Sequence, residues 1–399
     1  MERIDFQARL DSEDPLIKFC ATICRKTDNL FHETHVATMK PLLSMAALVL
    51  APLIPLSGIE FSSKFDEYMN VQMKANSFSG SVLVAQSGKV LLTNGYGMAD
   101  IELRVLNTPS TKFRLGAITQ QFTAMAILEL EEEGKLDVQD SVCKYIPECP
   151  NDWQEVKIVN LLTHTSGIPN FTDFKDYEKT CVMPTTVPEL LARFEKKPLD
   201  FKPGEKLKYS SSGYEVLGAV IENVSHATYA KYVAQHIFEP LEMRDTGYDS
   251  ATRIIPERAS GYRREGDTDT FANAPYLEMS IPYSAGGLYS TVEDLYRWDR
   301  ALHSEKLVSQ KSLNQMFTPH RDGYGFAWRI MKEFQRKVLV YAGRINGFSA
   351  AIRRYPDDDA CIIVLGNLEN IDAEKISHDL GGILFDVHYA PPMDHQTMQ

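Results

Sequence analysis

Residues 113–130, with the sequence FRLGAITQQFTAMAILEL, constrain this chain more than any other segment. The pattern predicts a long helix over residues 116–133, and the acidic run that ends in Gly134 predicts a glycine C-cap. Ala117 stands at the start of this helix, and Gln120 follows three positions later on the same face. We therefore expect the side chains of residues 117 and 120 to lie on one side of this helix.

This segment resembles the helix-opening motif of the penicillin-recognising serine hydrolases, the superfamily of class C β-lactamases, D,D-peptidases and related esterases. In that motif, Gly-Ser-x-x-Lys-x-Phe-Thr-Ala, the serine is acylated and the lysine accepts its proton. The resemblance places Ala117 at the nucleophile position and Gln120 at the lysine position. Ala117 has no hydroxyl, and Gln120 is neither a base nor a cation. The family reaction, which depends on an activated hydroxyl, is therefore not expected of this chain.

Six further segments extend the resemblance, in the family's order, from about residue 59 to about residue 387. They are LLTHTSG at 161–167, FKPGE at 201–205, YSSSGY at 209–214, GGLYSTVEDL at 286–295, YAGRINGF at 341–348 and VLGN at 364–367. Seven motifs in order are specific, whereas any one alone is weak. The implied fold is of the α/β (α+β) class, with an antiparallel sheet flanked by N- and C-terminal helices and an inserted, mainly helical subdomain.

The same resemblance assigns the remaining site residues. Tyr209 is the one retained catalytic side chain, and Ser211 replaces an asparagine that usually bonds the substrate amide. Tyr341 replaces the histidine or lysine of the third motif, and Gly343 and Arg344 follow it on a strand whose backbone supplies the second oxyanion donor. Ser211, Tyr341, Gly343 and Arg344 are therefore the predicted substrate-binding residues.

Loss of the lysine charge changes what Tyr209 is expected to do. In the family that charge helps to stabilise a phenolate. With Gln120 in its place, Tyr209 is expected to stay neutral near pH 7 and to act as a hydrogen-bond donor. An uncharged polar pocket floor suits binding a carbonyl or carboxylate group better than breaking an acyl bond.

Three functional hypotheses follow, and they leave open whether the chain is an enzyme. The first is a non-hydrolytic pseudoenzyme that binds an acyl, peptide or cell-wall-type ligand. The alternative is a divergent hydrolase or acyltransferase, such as an esterase, D-amino-acid amidase or β-lactamase-like enzyme, which uses Tyr209 or Ser211. The third is a decayed paralogue without selected activity.

Other nucleophile candidates are weaker. Ser141 and Lys144 formally spell Ser-x-x-Lys, but such a match is expected about once by chance in a chain this rich in both residues. Ser166 is interpreted as a structural loop residue. His164 has no acidic partner at triad-like spacing, so a structural role is expected for it as well.

Composition limits the partners. The formal net charge of −12 argues against nucleic acid and anionic membranes, so the predicted partner is a small-molecule or peptide ligand. Cys20, Cys24, His32 and His35 faintly resemble a zinc site, but their central spacing is too short. No cofactor and no metal are predicted.

The N-terminal region suggests export. Residues 39–58 have one positive charge followed by an apolar stretch of signal-peptide length, too short and too interrupted by prolines to span a membrane. If Met39 is the start, residues 1–38 are a start-site artefact, and the mature chain is periplasmic or extracellular. Otherwise residues 1–38 are a genuine polar extension. The predicted domain covers 59–390, with its helical subdomain at about 119–275, and 391–399 form a tail.

Local patterns predict the other elements. A helix is expected over 62–75 and a hairpin over 79–95 that turns at Ser87 and Gly88. A capping box from Ser290 to Glu293 predicts a helix through Leu302. Strands are expected at 324–331, 336–342, 347–354 and 360–366, and a final helix at 372–386. For the cysteines, bridging of Cys143 with Cys149, bridging to Cys181, and free thiols stay open.

Overall fold

The computed structural model describes residues 56–75, 77–266 and 270–387. Residues 39–55 of the predicted signal peptide, the zinc-like cysteine and histidine set and the tail at 391–399 lie outside the described residues. The helices are α1 (Leu56–Lys74), α2 (Thr119–Glu132), α3 (Ile158–Leu162), α4 (Tyr177–Thr180), α5 (Val187–Ala192), α6 (Ser211–Ser225), α7 (Tyr229–Val233), α8 (Tyr283–Gly286), α9 (Val292–Ala301), α10 (Gln310–Met316) and α11 (Ala373–Leu384).

Thirteen strands are found in the described ranges, and six of them form the main sheet. The strands are β1 (Gly80–Gln86), β2 (Lys89–Tyr96), β3 (Met98–Asp100), β4 (Val105–Leu106), β5 (Phe113–Arg114), β6 (Gly247–Tyr248), β7 (Tyr262–Arg264), β8 (Phe271–Asn273), β9 (Leu288–Ser290), β10 (Arg329–Glu333), β11 (Arg336–Ile345), β12 (Phe348–Tyr355) and β13 (Ala360–Gly366). The main sheet is antiparallel, in the order β10-β11-β12-β13-β1-β2. The predicted antiparallel sheet and the mixed α/β class are confirmed.

Helices cover both faces of this sheet, and its central strands are buried on both sides. Every residue of β12 and β13 is buried. On one face α1 and α11 pack together, and the Tyr68 hydroxyl donates to Asp379 Oδ2 at 2.8 Å. On the other face α2 and α9 contribute Phe122 and Trp298, whose rings lie 4.5 Å apart. The predicted N- and C-terminal flanking helices are therefore present.

Several predicted boundaries are close to the observed ones. The first hairpin turns at Ser87 and Gly88, both at positive φ, as a tight two-residue turn requires. Helix α2 is preceded by a 3₁₀ turn at Gly116–Ile118 and ends at Glu132, just before Gly134 at φ +70°. The stretch predicted as a helical subdomain, about 119–275, holds α2 to α7 and also the short strands β6, β7 and β8.

Two predicted elements are wrong in position. The strand predicted at 324–331 begins only at Arg329, because Ala327 lies at φ +55°, which extended strand geometry does not allow. The cap of α9 is Thr291 and not Ser290: the Thr291 hydroxyl accepts from the Asp294 N–H at 3.1 Å. Ser290 instead ends β9, which pairs with β5 and β6.

The cysteine alternatives are resolved for the four described cysteines. Cys143 and Cys149 form a disulfide across a six-residue separation. Cys181 and Cys361 are free and buried.

Candidate functional site

The start of α2 and the end of β11 approach each other at glycines. Gly116 has φ +52°, and a Cβ at this position would lie 2.8 Å from the backbone oxygen of Arg344. A Cβ on Gly343 would lie 2.0 Å from the Leu115 oxygen and 2.8 Å from the Ala117 nitrogen. Backbone meets backbone here, so glycine is required on both sides of the contact.

Strand β11 is unpaired on one edge where it meets this turn. Its pairing with β10 ends at Val340, opposite Arg329. Its pairing with β12 continues to Ile345, opposite Phe348. In the described part of the chain no strand pairs with residues 341–345 on this edge, and the 3₁₀ turn of Ala117 packs against it at Gly343. The backbones of residues 115–118 and 341–345 thus border one cleft.

Gln120 lies at the floor of this cleft and joins two phenols. The side chain is fully buried. Its Nε2 donates to the Tyr209 hydroxyl at 2.9 Å, and its Oε1 accepts from the Tyr341 hydroxyl at 2.6 Å. The amide therefore has a donor and an acceptor role at the same time, which an ammonium group cannot have.

Tyr341 is held by two more residues. The Tyr324 hydroxyl donates to the Tyr341 oxygen at 2.8 Å. His164 Nδ1 accepts from the Ser210 N–H at 3.2 Å, which places the imidazole proton on Nε2, 3.4 Å from the Tyr341 oxygen. Burial lowers the pKa of His164 to about 3, so the ring is neutral at ordinary pH. The hydroxyl of Tyr341 is thus fully used within the protein.

Tyr209 differs from Tyr341 because its hydroxyl proton is not donated to any of the described residues. Its oxygen accepts from Gln120 and, at 3.4 Å, from the Ser211 hydroxyl. No acceptor for the Tyr209 proton is found among the described residues, and the residue is 40% exposed. Burial of the phenol end raises its pKa above the ordinary value, so Tyr209 is a neutral donor near pH 7.

These groups border a cavity of about 240 Å³. It is lined by Gly116, Ala117, Phe171, Thr172, Tyr177, Tyr209, Ser211, Glu215, Leu277, Pro282, Ala285, Gly286, Arg344, Ile345 and Asn346. The structure thus gathers around one cavity four of the seven predicted site residues: Ala117, Tyr209, Ser211 and Arg344. Gln120 and Tyr341 lie behind Tyr209, and Gly343 shapes the wall by its contact with the turn.

Three residues of the site were not predicted from the sequence. The Tyr324 hydroxyl donates to the Tyr341 oxygen, and His164 Nε2 lies 3.4 Å from the same oxygen. Glu215 lines the cavity. His164 and Glu215 each lie within or directly after a motif that was recognised. Their buried polar neighbours come from distant segments, so no local spacing indicated their roles.

The minor nucleophile candidates are engaged elsewhere. Ser141 caps a 3₁₀ turn and accepts from the Cys143 N–H at 3.3 Å, and Lys144 pairs with Asp140 at 2.6 Å. The Ser166 hydroxyl accepts from the Ile168 N–H at 3.2 Å. No group of three histidine, cysteine or acidic side chains in the described part of the chain could hold a metal ion.

Comparison with known proteins gives a consistent result. The family model described as Beta-lactamase matches residues 61–380. The "Putative penicillin-binding protein PbpX" of Bacillus subtilis (strain 168) is 32% identical over 316 residues, which cover 78% of this chain and 75% of that protein. Protein flp of Staphylococcus aureus (strain MW2) is 28% identical over 312 residues, which cover 75% of this chain and 61% of flp.

Solved structures show the same similarity. The octameric penicillin-binding protein homologue from Pyrococcus abyssi has a TM-score of 0.72 and 27% identity, with 82% of this chain and 78% of that chain covered. The D-amino acid amidase from Ochrobactrum anthropi SV3, complexed with L-phenylalanine amide, has a TM-score of 0.72 at 20% identity, covering 82% of this chain and 99% of that one, which shows a shared fold. Within the described ranges, no helix is both long enough and apolar enough to cross a membrane.

Proposed function

The chain belongs to the Beta-lactamase family, and within that family we propose that it is a non-hydrolytic member that binds an acyl, peptide or cell-wall-type ligand. We assign Ala117 to the position of the lost nucleophile and Gln120 to that of the lost lysine. Tyr209 is the retained polar group of the site. Ser211, Tyr341, Gly343 and Arg344 form or shape the ligand-binding surface.

The observation that carries this proposal is the hydrogen bonding of the Gln120 side chain. Both ends of its amide are bonded to phenols, at 2.9 and 2.6 Å, so it has no capacity to accept a proton from a nucleophile. Ala117, three positions before Gln120, offers only a methyl group. A nucleophile and its base must lie within hydrogen-bond reach of each other, and this pair provides neither. Loss of the nucleophile leaves only a small remainder of the catalytic effect.

Backbone and hydroxyl hydrogen-bond donors in the cleft support the proposal of ligand binding. The backbone around Ala117 and the uncovered edge of β11 can supply N–H donors without any side chain. Tyr209 adds a hydroxyl proton that has no acceptor among the described residues. Donors that converge on a partly apolar cavity are suited to hold a carbonyl or carboxylate oxygen. We also propose that the chain is exported.

The test is intact-mass measurement after incubation with a fluorophosphonate probe and with a penicillin. The unmodified chain is expected to gain no mass, because among the described residues no base is hydrogen-bonded to the cleft hydroxyls of Tyr209 and Ser211. The Ala117→Ser/Gln120→Lys double variant is expected to gain one probe mass, because its cleft again holds a nucleophile and a base. Ala117→Ser alone is the matched control, and we expect it to react far more slowly than the double variant.

An adduct on the unmodified chain would contradict the proposal. Peptide mapping would then name the nucleophile, and an adduct on Ser211 or Tyr209 would support the divergent hydrolase or acyltransferase instead. Loss of that adduct in Tyr209→Phe or Ser211→Ala would assign the role to one hydroxyl. A double variant that stays unlabelled while folded would show that the cleft no longer accommodates family substrates.

A further inference from the structure

A second cavity lies between α5, α6 and the loop at 146–153, away from the candidate site. Its volume is about 400 Å³, which is within the usual range for small-molecule sites. The two cavities share no lining residue, although both border α6. Ser211 lines the candidate site at the start of this helix, whereas Ala219 and Glu222 line the second cavity two to three turns further along.

One wall of this second cavity is fixed by the disulfide. Cys143 and Cys149 close a loop that contains residues 146–148 of the wall. Asn223 of α6 donates from Nδ2 to the Tyr145 oxygen at 3.1 Å, so the same loop is also held to the helix. A wall that is fixed before a ligand arrives lowers the entropy cost of binding.

Much of the remaining wall is apolar. Trp153 is buried in it, and its ring stacks on that of Phe194 with centroids 6.1 Å apart. Pro150, Val187 and Pro188 also line the cavity and keep part of their surface exposed to solvent. An apolar group of a ligand would remove this surface from water, which favours binding.

The charged side chains of this cavity are all acidic. Glu148, Glu195 and Glu222 line it, and its lining residues include no lysine, arginine or histidine. Glu148 and Glu195 form no salt bridge within the described part of the chain, and both have exposed surface. Glu222 accepts from the Tyr229 N–H at 2.7 Å through Oε1. Side chains of one sign around a cavity with low-dielectric walls attract an ion of the opposite sign.

We propose that this cavity is a second binding site, for a small organic cation that joins an ammonium group to an apolar body. The apolar body packs on the proline and valine surface, and the ammonium group donates to the carboxylates. An ammonium group has only donors, whereas an ionised carboxylate has only acceptors, so the two match. The inference does not depend on the function proposed for the candidate site.

The first test compares three probes of similar shape and different charge: phenethylamine, 2-phenylethanol and phenylacetate. Isothermal titration calorimetry measures their binding to the full chain. We expect phenethylamine to bind more tightly than 2-phenylethanol, and phenylacetate to show no binding that depends on this cavity. Salt at about 1 M shortens the Debye length to about 3 Å, so it is expected to weaken the binding of phenethylamine and not that of 2-phenylethanol.

Two pairs of substitutions locate the site. Glu148→Gln/Glu195→Gln removes two charges from the cavity and keeps the size of both side chains, so phenethylamine is expected to bind at least about 5-fold more weakly. Glu67→Gln/Glu239→Gln is the matched control, because it removes the same charge from two exposed positions that do not line the cavity. Its effect is expected to stay below about 2-fold, since separated surface charges are screened.

Cys143→Ala/Cys149→Ala tests the fixed wall. Without the disulfide the loop must be ordered when a ligand binds, so phenethylamine and 2-phenylethanol are both expected to bind about 3-fold more weakly or worse. Circular dichroism and urea denaturation first establish that this variant is folded. A loss that affects both probes separates the wall from the charges, and unchanged affinity for both in the folded variant would contradict the role of the disulfide.

Three further results would overturn the inference: no measurable binding of phenethylamine, equal affinity for phenethylamine and 2-phenylethanol, or the same loss in the control pair as in Glu148→Gln/Glu195→Gln. The second would show an apolar cavity without preference for a cation. The third would show that the net charge of the chain, and not this cavity, attracts the amine. None of the probes acylates a protein, so these results are independent of the adduct experiment.

Discussion

At the scale of single residues, Gln120 and Tyr341 form a matched pair. A lysine at position 120 would place a buried ammonium group beside the Tyr341 hydroxyl, whose oxygen already accepts from Tyr324 and lies near His164. The amide avoids that charge and accepts the Tyr341 proton at 2.6 Å. Replacing Gln120 by a residue without an acceptor would leave the buried Tyr341 proton unpaired, at a cost of about 1–3 kcal/mol. Gln120 and Tyr341 therefore form one neutral network.

His164 gives this network a measurable pH dependence. Burial lowers its pKa from 6.5 to about 3 in the folded chain. Between these values the unfolded chain binds a proton that the folded chain does not. The free energy of unfolding is therefore expected to fall as pH drops from about 6.5 toward 3, by up to about 1.4 kcal/mol per pH unit from this residue. Urea denaturation at a series of pH values measures the slope.

The control for this prediction is His164→Asn. The asparagine oxygen can replace Nδ1 as acceptor for the Ser210 N–H, and asparagine tolerates the φ of +53° found at this position. It does not titrate, so the variant is expected to have a shallower acid slope. Equal slopes in both proteins would show that other groups account for the acid sensitivity.

At the scale of elements, the sequence correctly predicted those strands and turns that follow a simple local pattern. The turn at Ser87 and Gly88 and the strands β12 and β13 lie close to where they were expected. The strand prediction at 324–331 was wrong for residues 324–328, because their apolar side chains are buried in an irregular segment. The apolar pattern alone had suggested a strand. Ser290 failed as a helix cap because its hydroxyl lies 2.7 Å from the Thr246 hydroxyl inside a small sheet.

Residues of the candidate site could be predicted from the sequence only where they lie in a recognised motif. Gln120 and Tyr209 are 89 positions apart, and their contact followed from the resemblance rather than from spacing. Tyr324 and Glu215 owe their roles to buried polar contacts with Tyr341 and Ser284. Such contacts depend on tertiary packing, which no local pattern encodes.

The approach of β11 to the turn before α2 can be tested at Gly343. Gly343→Ala would place a methyl group 2.0 Å from the Leu115 oxygen, so strand and turn must separate. We expect a loss of about 1–3 kcal/mol in the free energy of unfolding. Urea denaturation measures this loss.

Gly213→Ala on α6 is the matched control for Gly343→Ala. Its added methyl would meet atoms of Leu161 no closer than 3.6 Å, an ordinary contact. Because alanine favours a helix, this variant is expected to change stability by less than about 1 kcal/mol and not to reduce it. An unchanged Gly343→Ala protein would show that the close approach is not required.

At the scale of the whole molecule, one buried ion pair joins the sheet to the helices on the site face. Arg354 of β12 donates from Nε to Asp299 Oδ1 of α9 at 2.8 Å, and both side chains are 1% exposed. The guanidinium also lies 5.3 Å from the ring centre of Phe317. A buried ion pair adds little net stability over an apolar pair, yet removal of one partner leaves a charge without compensation.

Asp299→Ala is therefore expected to lower the free energy of unfolding by about 3–5 kcal/mol, measured by urea denaturation. Asp299→Leu combined with Arg354→Met is expected to recover most of that loss, because neither charge remains. Asp200→Ala is the surface control: its pair with Lys208, at 2.6 Å, is partly exposed, so its loss should cost less than about 1 kcal/mol. A double variant as unstable as Asp299→Ala would show that packing, and not the isolated charge, controls how this layer is held to the sheet.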